Sequence, residues 1–183
     1  MRTLIWICLI ILAPAFAYGQ EPRSLSVFDQ LTLDEQRIVA TWLSQDCGVD
    51  ERSRLLDQIK ALGTKLEPVF WEAYREGPKE KNVAQFRERL ARQYEERQAR
   101  LEDIGPDLFG KEETQRLLSV TRSQYVSREL EQYQYRYRSA ALTGLGVVGT
   151  QLDGLEKIAT DKNDPLQGTA QEAVRMMRDR TNR

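Results

Sequence analysis

Apolar residues recur along this chain at steps of three and four and strand signals are absent, so helices are expected throughout. The pattern is sharpest between Tyr137 and Met177. There Tyr137, Ala141, Gly144, Leu145 and Val148 set a frame that Leu166, Ala170, Ala173, Val174 and Met177 repeat 29 positions later. In both copies a large apolar residue is followed at +4, +7, +8 and +11 by small or apolar ones. That spacing is one face of a helix, with small side chains where a neighbouring helix must come close. Near the other end, Thr32-x-x-Glu35 spells a capping box ahead of a stripe of Ile38, Val39, Trp42 and Leu43. Gly48 is expected to close that helix in the left-handed conformation, and Asp50 to cap the next.

A looser pattern occurs three times, as Ile59, Leu62, Gly63, Thr64, Leu66; as Leu101, Ile104, Gly105, Pro106, Leu108; and as Leu145, Val148, Gly149, Thr150, Leu152. The glycines lie 42 and 44 residues apart, within the roughly 40 to 47 of two-helix repeats. Each is expected to stop one helix while the next residue opens another. Thr64-x-x-Glu67 reads as a capping box, Thr150-x-x-Asp153 as a near relative, and Pro106 as a first-turn proline. Between the first two glycines, Leu66, Val69, Phe70, Ala73 and Tyr74 mark a helix that stops at Gly77-Pro78. A long helix then carries Val83, Phe86, Leu90, Tyr94, Leu101 and Ile104. A second runs from Glu112 to about Tyr137 with Leu117, Leu118, Tyr125, Val126, Leu130 and Tyr133. The two either pair as a long antiparallel helical hairpin or are elongated repeat helices. Six to eight helices are expected in all.

The segment YRSAALTGLGVVG resembles the second helix of a HEAT-like repeat. Tyr137, Arg138, Ala141, Leu142, Gly144, Leu145, Gly146, Val148 and Gly149 fill its sequence of large apolar residue, Arg, paired small residues, small-Leu-Gly and closing apolar-Gly. In the second copy Asp164 and Pro165 supply the cap-and-proline entry, Gln167 replaces the Arg, and no Gly follows Met177. The resemblance covers residues 137–177. It implies an all-α fold, an α-solenoid of HEAT-like (armadillo-type) helix pairs, and by analogy of fold a scaffold or adaptor role.

Arg2, the apolar run Leu4 to Leu12, Pro14 and Ala15-Phe16-Ala17 read as a signal peptide over residues 1–19, so export to a periplasm or beyond is expected. An extended N-terminal arm over 20–31 and a single helical domain over 32–183 follow. Cleavage removes Cys8 and leaves Cys47 alone, so no internal disulfide forms, and Cys47 reads as a small buried hydrophobe. With 27 basic and 28 acidic residues the net charge is −1, which offers no general pull toward nucleic acid or anionic lipid.

The chain has no histidine, which removes imidazole as base, relay or ligand, and one remaining cysteine cannot build a thiolate zinc site. Gly144-x-Gly146-x-x-Gly149 spells a dinucleotide fingerprint, but no strand precedes it and its glycines sit in a helix, where close packing accounts for them. The acidic pairs Glu95-Glu96, Glu112-Glu113 and Asp161/Asp164 fall at helix starts or on polar faces. No catalytic, cofactor-binding or metal-binding residue is therefore assigned. The expected role is non-catalytic binding of another protein or peptide, with Trp71, Tyr74, Tyr135, Arg136 and Arg138 as the partner-binding candidates. Tyr133 and Tyr137, four apart, are expected in the core. Two alternatives stand beside it: self-association through a hairpin of residues 79–136, and a cofactor-handling enzyme on a HEAT-like fold, which no catalytic constellation supports.

Overall fold

The computed structural model describes residues 26–45 and 48–182; the segment read as a signal peptide, and Cys47, lie outside them. Among the described residues there are eight α-helices and no strand: α1 Leu33–Ser44, α2 Val49–Leu62, α3 Glu67–Glu76, α4 Glu80–Phe109, α5 Lys111–Leu118, α6 Arg122–Val148, α7 Leu152–Thr160 and α8 Gln167–Thr181. The protein is all-α.

The C-terminal half of α6 is the centre of the molecule. Ala140, Ala141, Leu142, Gly144, Leu145, Gly146, Val147 and Val148 are all buried. A helix apolar on every side can only be satisfied by neighbours on every side, and α1, α2, α3 and α8 all pack against α6. The small residues set the approach distances. A Cβ on Gly144 would meet the Phe70 ring of α3 at 2.6 Å, and one on Gly146 would meet the Ala173 Cα of α8 at 2.8 Å. Ala141 and Ala170, the repeated small positions, are fully buried. Trp42 completes the seal from α1, its indole N–H donating to the Ala140 carbonyl at 2.8 Å.

Helix α4, 30 residues long and so about 45 Å from end to end, leaves this core and returns as α5 and the first half of α6. The pairing is antiparallel. Phe86 stacks on Tyr133 with centroids 4.4 Å apart, and further along Tyr94 lies 5.8 Å from Tyr125. The Tyr94 hydroxyl donates to the Val120 carbonyl.

Several expected boundaries are corrected. Gly105-Pro106 does not end a helix, for α4 continues to Phe109 and stops at Gly110, whose φ of +81° only glycine adopts freely. Gly105 is small for a different reason: a Cβ there would meet the Thr114 methyl of α5 at 2.8 Å. The expected helix from Glu112 to Tyr137 is broken at Ser119 and resumes as α6, because Thr121 and Gln124 form a capping box that starts a new helix. Helix α6 then runs straight through Tyr137. The capping box at Thr32 and Glu35 forms as read. Gln45, with φ 55°, takes the left-handed position expected of Gly48, because it follows the last helical residue directly. Gly48 opens α2 with extended backbone, and Asp50 falls inside that helix. Residues 28–30, expected within an extended arm, form a single 3-10 turn, and Leu31 is buried.

Thr64 and Glu67 do not cap each other. Residues 63–66 form a 3-10 turn, and Glu67, buried at the start of α3, accepts from the Thr150 hydroxyl at 2.7 Å and the Gln151 amide at 2.9 Å. Thr150 is thereby taken from the near-capping-box role expected with Asp153, and α7 begins without a side-chain cap. On the other side of the same turn the Arg180 guanidinium donates to the carbonyls of Val147 and Gly149. One carboxylate and one guanidinium thus clamp the α6–α7 connection, satisfying groups that helix ends leave orphaned.

Burial opposes ionisation of Glu67, but the Thr150 hydroxyl and the backbone amides of Gln151 and Thr150 outweigh it, and its carboxyl is held below the ordinary 4.5. A group whose folded pKa is depressed stabilises fully above its unfolded value and loses that contribution as pH falls through the folded one. Glu67→Gln is therefore expected to cost about 1–2 kcal/mol in urea unfolding at neutral pH. The gap to the parent should shrink as the pH is taken from about 4.5 toward 3.

Candidate functional site

Where the hairpin leaves the core, five pieces of chain enclose a groove. Phe28 comes from the N-terminal turn, Leu43 from α1, Val69, Glu72, Ala73 and Glu76 from α3, Lys79 and Asn82 from the start of α4, and Tyr133 and Tyr137 from α6. Its volume is about 320 Å³, at the small end of the range for ligand sites. Spacing alone puts the α3 members together, since Val69, Glu72, Ala73 and Glu76 follow one another at steps of three, one and three along one helix face. Leu43, Val69 and Ala73 form a buried apolar floor. Tyr133 and Tyr137, one turn apart on α6, add two rings with centroids 6.3 Å apart.

The charges around the floor are unequal in their commitments. The Lys79 ammonium is held by Asp29 at 2.7 Å and sits 5.1 Å from the centre of the Phe28 ring. That contact, with the Ser26 hydroxyl, keeps the Asp29 carboxyl below its ordinary range. Glu72 accepts one backbone bond, from the Phe28 amide at 3.2 Å. None of the described ion pairs involves Glu72 or Glu76. Glu76 is also the last residue of α3, where the helix dipole already presents negative partial charge. Burial, with the charges of Tyr133 and Glu72, pushes the Tyr137 hydroxyl up to about 12, so it stays a neutral donor. The result is an apolar hollow with aromatic walls and a rim on which Lys79 is paired with Asp29 while Glu72 and Glu76 enter none of the described ion pairs.

None of the five residues expected at a partner site lines this groove. Trp71 is buried against α7, its ring 2.9 Å from where a Cβ on Gly154 would sit, and its indole nitrogen is enclosed without a formed hydrogen bond. Tyr74 is half-buried and donates to Asp164 at 3.0 Å; burial and that carboxylate raise its hydroxyl to about 12. Arg138 lies against Gly77, its guanidinium 3.4 Å from the position of a Cβ there. Tyr135 and Arg136 alone are exposed; Tyr135, two residues from both Tyr133 and Tyr137, points to the opposite side of α6, and Arg136 lies on its solvent side outside the groove lining. Tyr133 and Tyr137, read as core residues, are half-buried walls of the groove.

No family model, curated protein or solved structure matches this chain.

Among the described residues no group of three or more His, Cys, Asp or Glu could hold a metal ion, and no helix is long and apolar enough to cross a membrane. What the arrangement supplies is binding chemistry: area to bury, two tyrosine faces and uncompensated carboxylates.

Proposed function

We propose that this protein is an exported, non-catalytic adaptor that docks a segment of another protein in the groove at the base of its hairpin. The occupant is an extended or helical stretch that presents an apolar side chain next to Lys or Arg. The observation that carries this reading is the mismatch of charge on an apolar floor: Lys79 is already neutralised by Asp29, whereas Glu72 and Glu76 face the hollow without a cation. A long basic side chain fits such a site in both its parts. Its methylene stem covers Leu43, Val69 and Ala73, while its head meets the carboxylates and the tyrosine faces.

The remaining architecture suits a scaffold. The solenoid reading draws its support from α7 pairing with α8 and α8 packing on α6, within the region of HEAT-like resemblance, and on this reading the hairpin adds a long arm to the stack. Export rests on the composition of residues 1–19.

The test uses a dye-labelled synthetic peptide bearing two leucines and two arginines, and a control with glutamates in place of the arginines. Anisotropy is expected to show saturable binding of the basic peptide only. Glu76→Lys, an exposed change, should weaken it by about ten-fold with an unchanged melting midpoint, while Arg136→Ala, outside the groove, should leave it unaltered. Equal affinity of Glu76→Lys and the parent would reject the site.

A further inference from the structure

The far end of α4 carries a second surface. Along the helix it lies about 40 Å from the groove. Three of the chain's exposed large apolar side chains gather there: Ile104 at 41% exposure, Leu108 at 63% and Phe109 at 53%. They border a hollow of about 320 Å³ that Leu101, Arg97 and Arg100 also line. Projections and a recess of matching character therefore share one patch.

We infer that this patch binds a second copy of this chain, α4 against α4, antiparallel about a two-fold axis near Ile104. A two-fold contact must be complementary to itself. The apolar part meets that condition because Leu108 can enter the hollow beside Leu101 and Arg100 of the other copy while receiving the same in return. The charges meet it as well. Arg97 and Arg100 precede Ile104, whereas Asp103 and Asp107 adjoin and follow it, so an antiparallel copy sets the basic end over the acidic end twice. A parallel copy would set like on like. Arg100, Asp103 and Asp107 are exposed, and no described ion pair occupies any of them. Glu96 on the rim reduces the basic end without reversing it. An anionic membrane or a partner of single charge sign would meet both signs side by side and lose on one what it gained on the other.

Arg100 and Asp107 stand seven residues apart, two turns along one strip of α4, and each should face its counterpart in the partner copy. Sedimentation equilibrium of the purified protein is expected to give a monomer–dimer equilibrium with a dissociation constant of tens of micromolar, as suits a small interface. Leu108→Glu should weaken it by more than about thirty-fold. Arg100→Asp and Asp107→Arg should each weaken it by about ten-fold, and the double exchange should return it to within about three-fold of the parent. All three side chains are exposed, and circular dichroism should show the same helicity in every variant. If Leu108→Glu fails to fold, the charge exchange decides the matter alone. A monomer mass up to about 200 µM, association unaffected by Leu108→Glu, or a double exchange no better than the single ones would each overturn the inference.

Discussion

Gly144→Ala lowers the stability of this protein by about 2–3 kcal/mol in urea unfolding, although alanine is ordinarily the better helix former by nearly 1 kcal/mol. The sign reverses because of what lies opposite. The new methyl would stand 2.6 to 2.8 Å from three atoms of the Phe70 ring, closer than any real Cβ contact. Phe70 cannot swing aside, being fully buried itself. Helices α3 and α6 must separate, and the contacts on both sides of Gly144 weaken together. A variant as stable as the parent would mean that α3 does not cross α6 at this residue.

Phe70→Ala has the larger effect, about 4 kcal/mol, since it removes a buried ring at the centre of the α3–α6 contact and leaves a cavity the rigid neighbours close only in part. The two changes are coupled. In the Phe70→Ala background Gly144→Leu places side-chain volume into the space the ring vacated, so the double variant should be more stable than the sum of single effects by about 1–3 kcal/mol. Strict additivity would show that the two residues do not touch.

The buried helix was the most legible part of the sequence, for a stretch with Thr143 as its one polar residue between Ala140 and Gly149 can only be covered on all sides. The matched frames at 137–148 and 166–177 mark buried faces, although they do not meet each other there: Gly144 meets Phe70 of α3, and Ala173 meets Gly146, outside the first frame. Gly105 misled because glycine marks two different things, a chain reversal and a close approach, and only the Thr114 methyl across the turn decides between them. Glu67 misled likewise. Its position three after Thr64 fits a local cap, but burial and two donors from the α6–α7 turn draw it into a contact more than eighty residues away. The groove was not legible at all. Glu72 and Glu76 look like an ordinary solvated strip until Phe28, Leu43 and Tyr137 arrive from three other parts of the chain to enclose them. Trp71 and Tyr74 drew attention as recognition residues because aromatic side chains do carry interface energy, but here the same area is spent against α7 and Asp164.

The docking of a basic, apolar segment at the hairpin base is tested most directly by amide chemical-shift mapping of the ¹⁵N-labelled protein during titration with the leucine–arginine peptide. The shifts are expected to concentrate at Ser44, Glu72, Glu76, Lys79 and Tyr137, and to be absent with the glutamate control. Equal shifts with both peptides, or shifts centred outside those residues, would contradict the proposal.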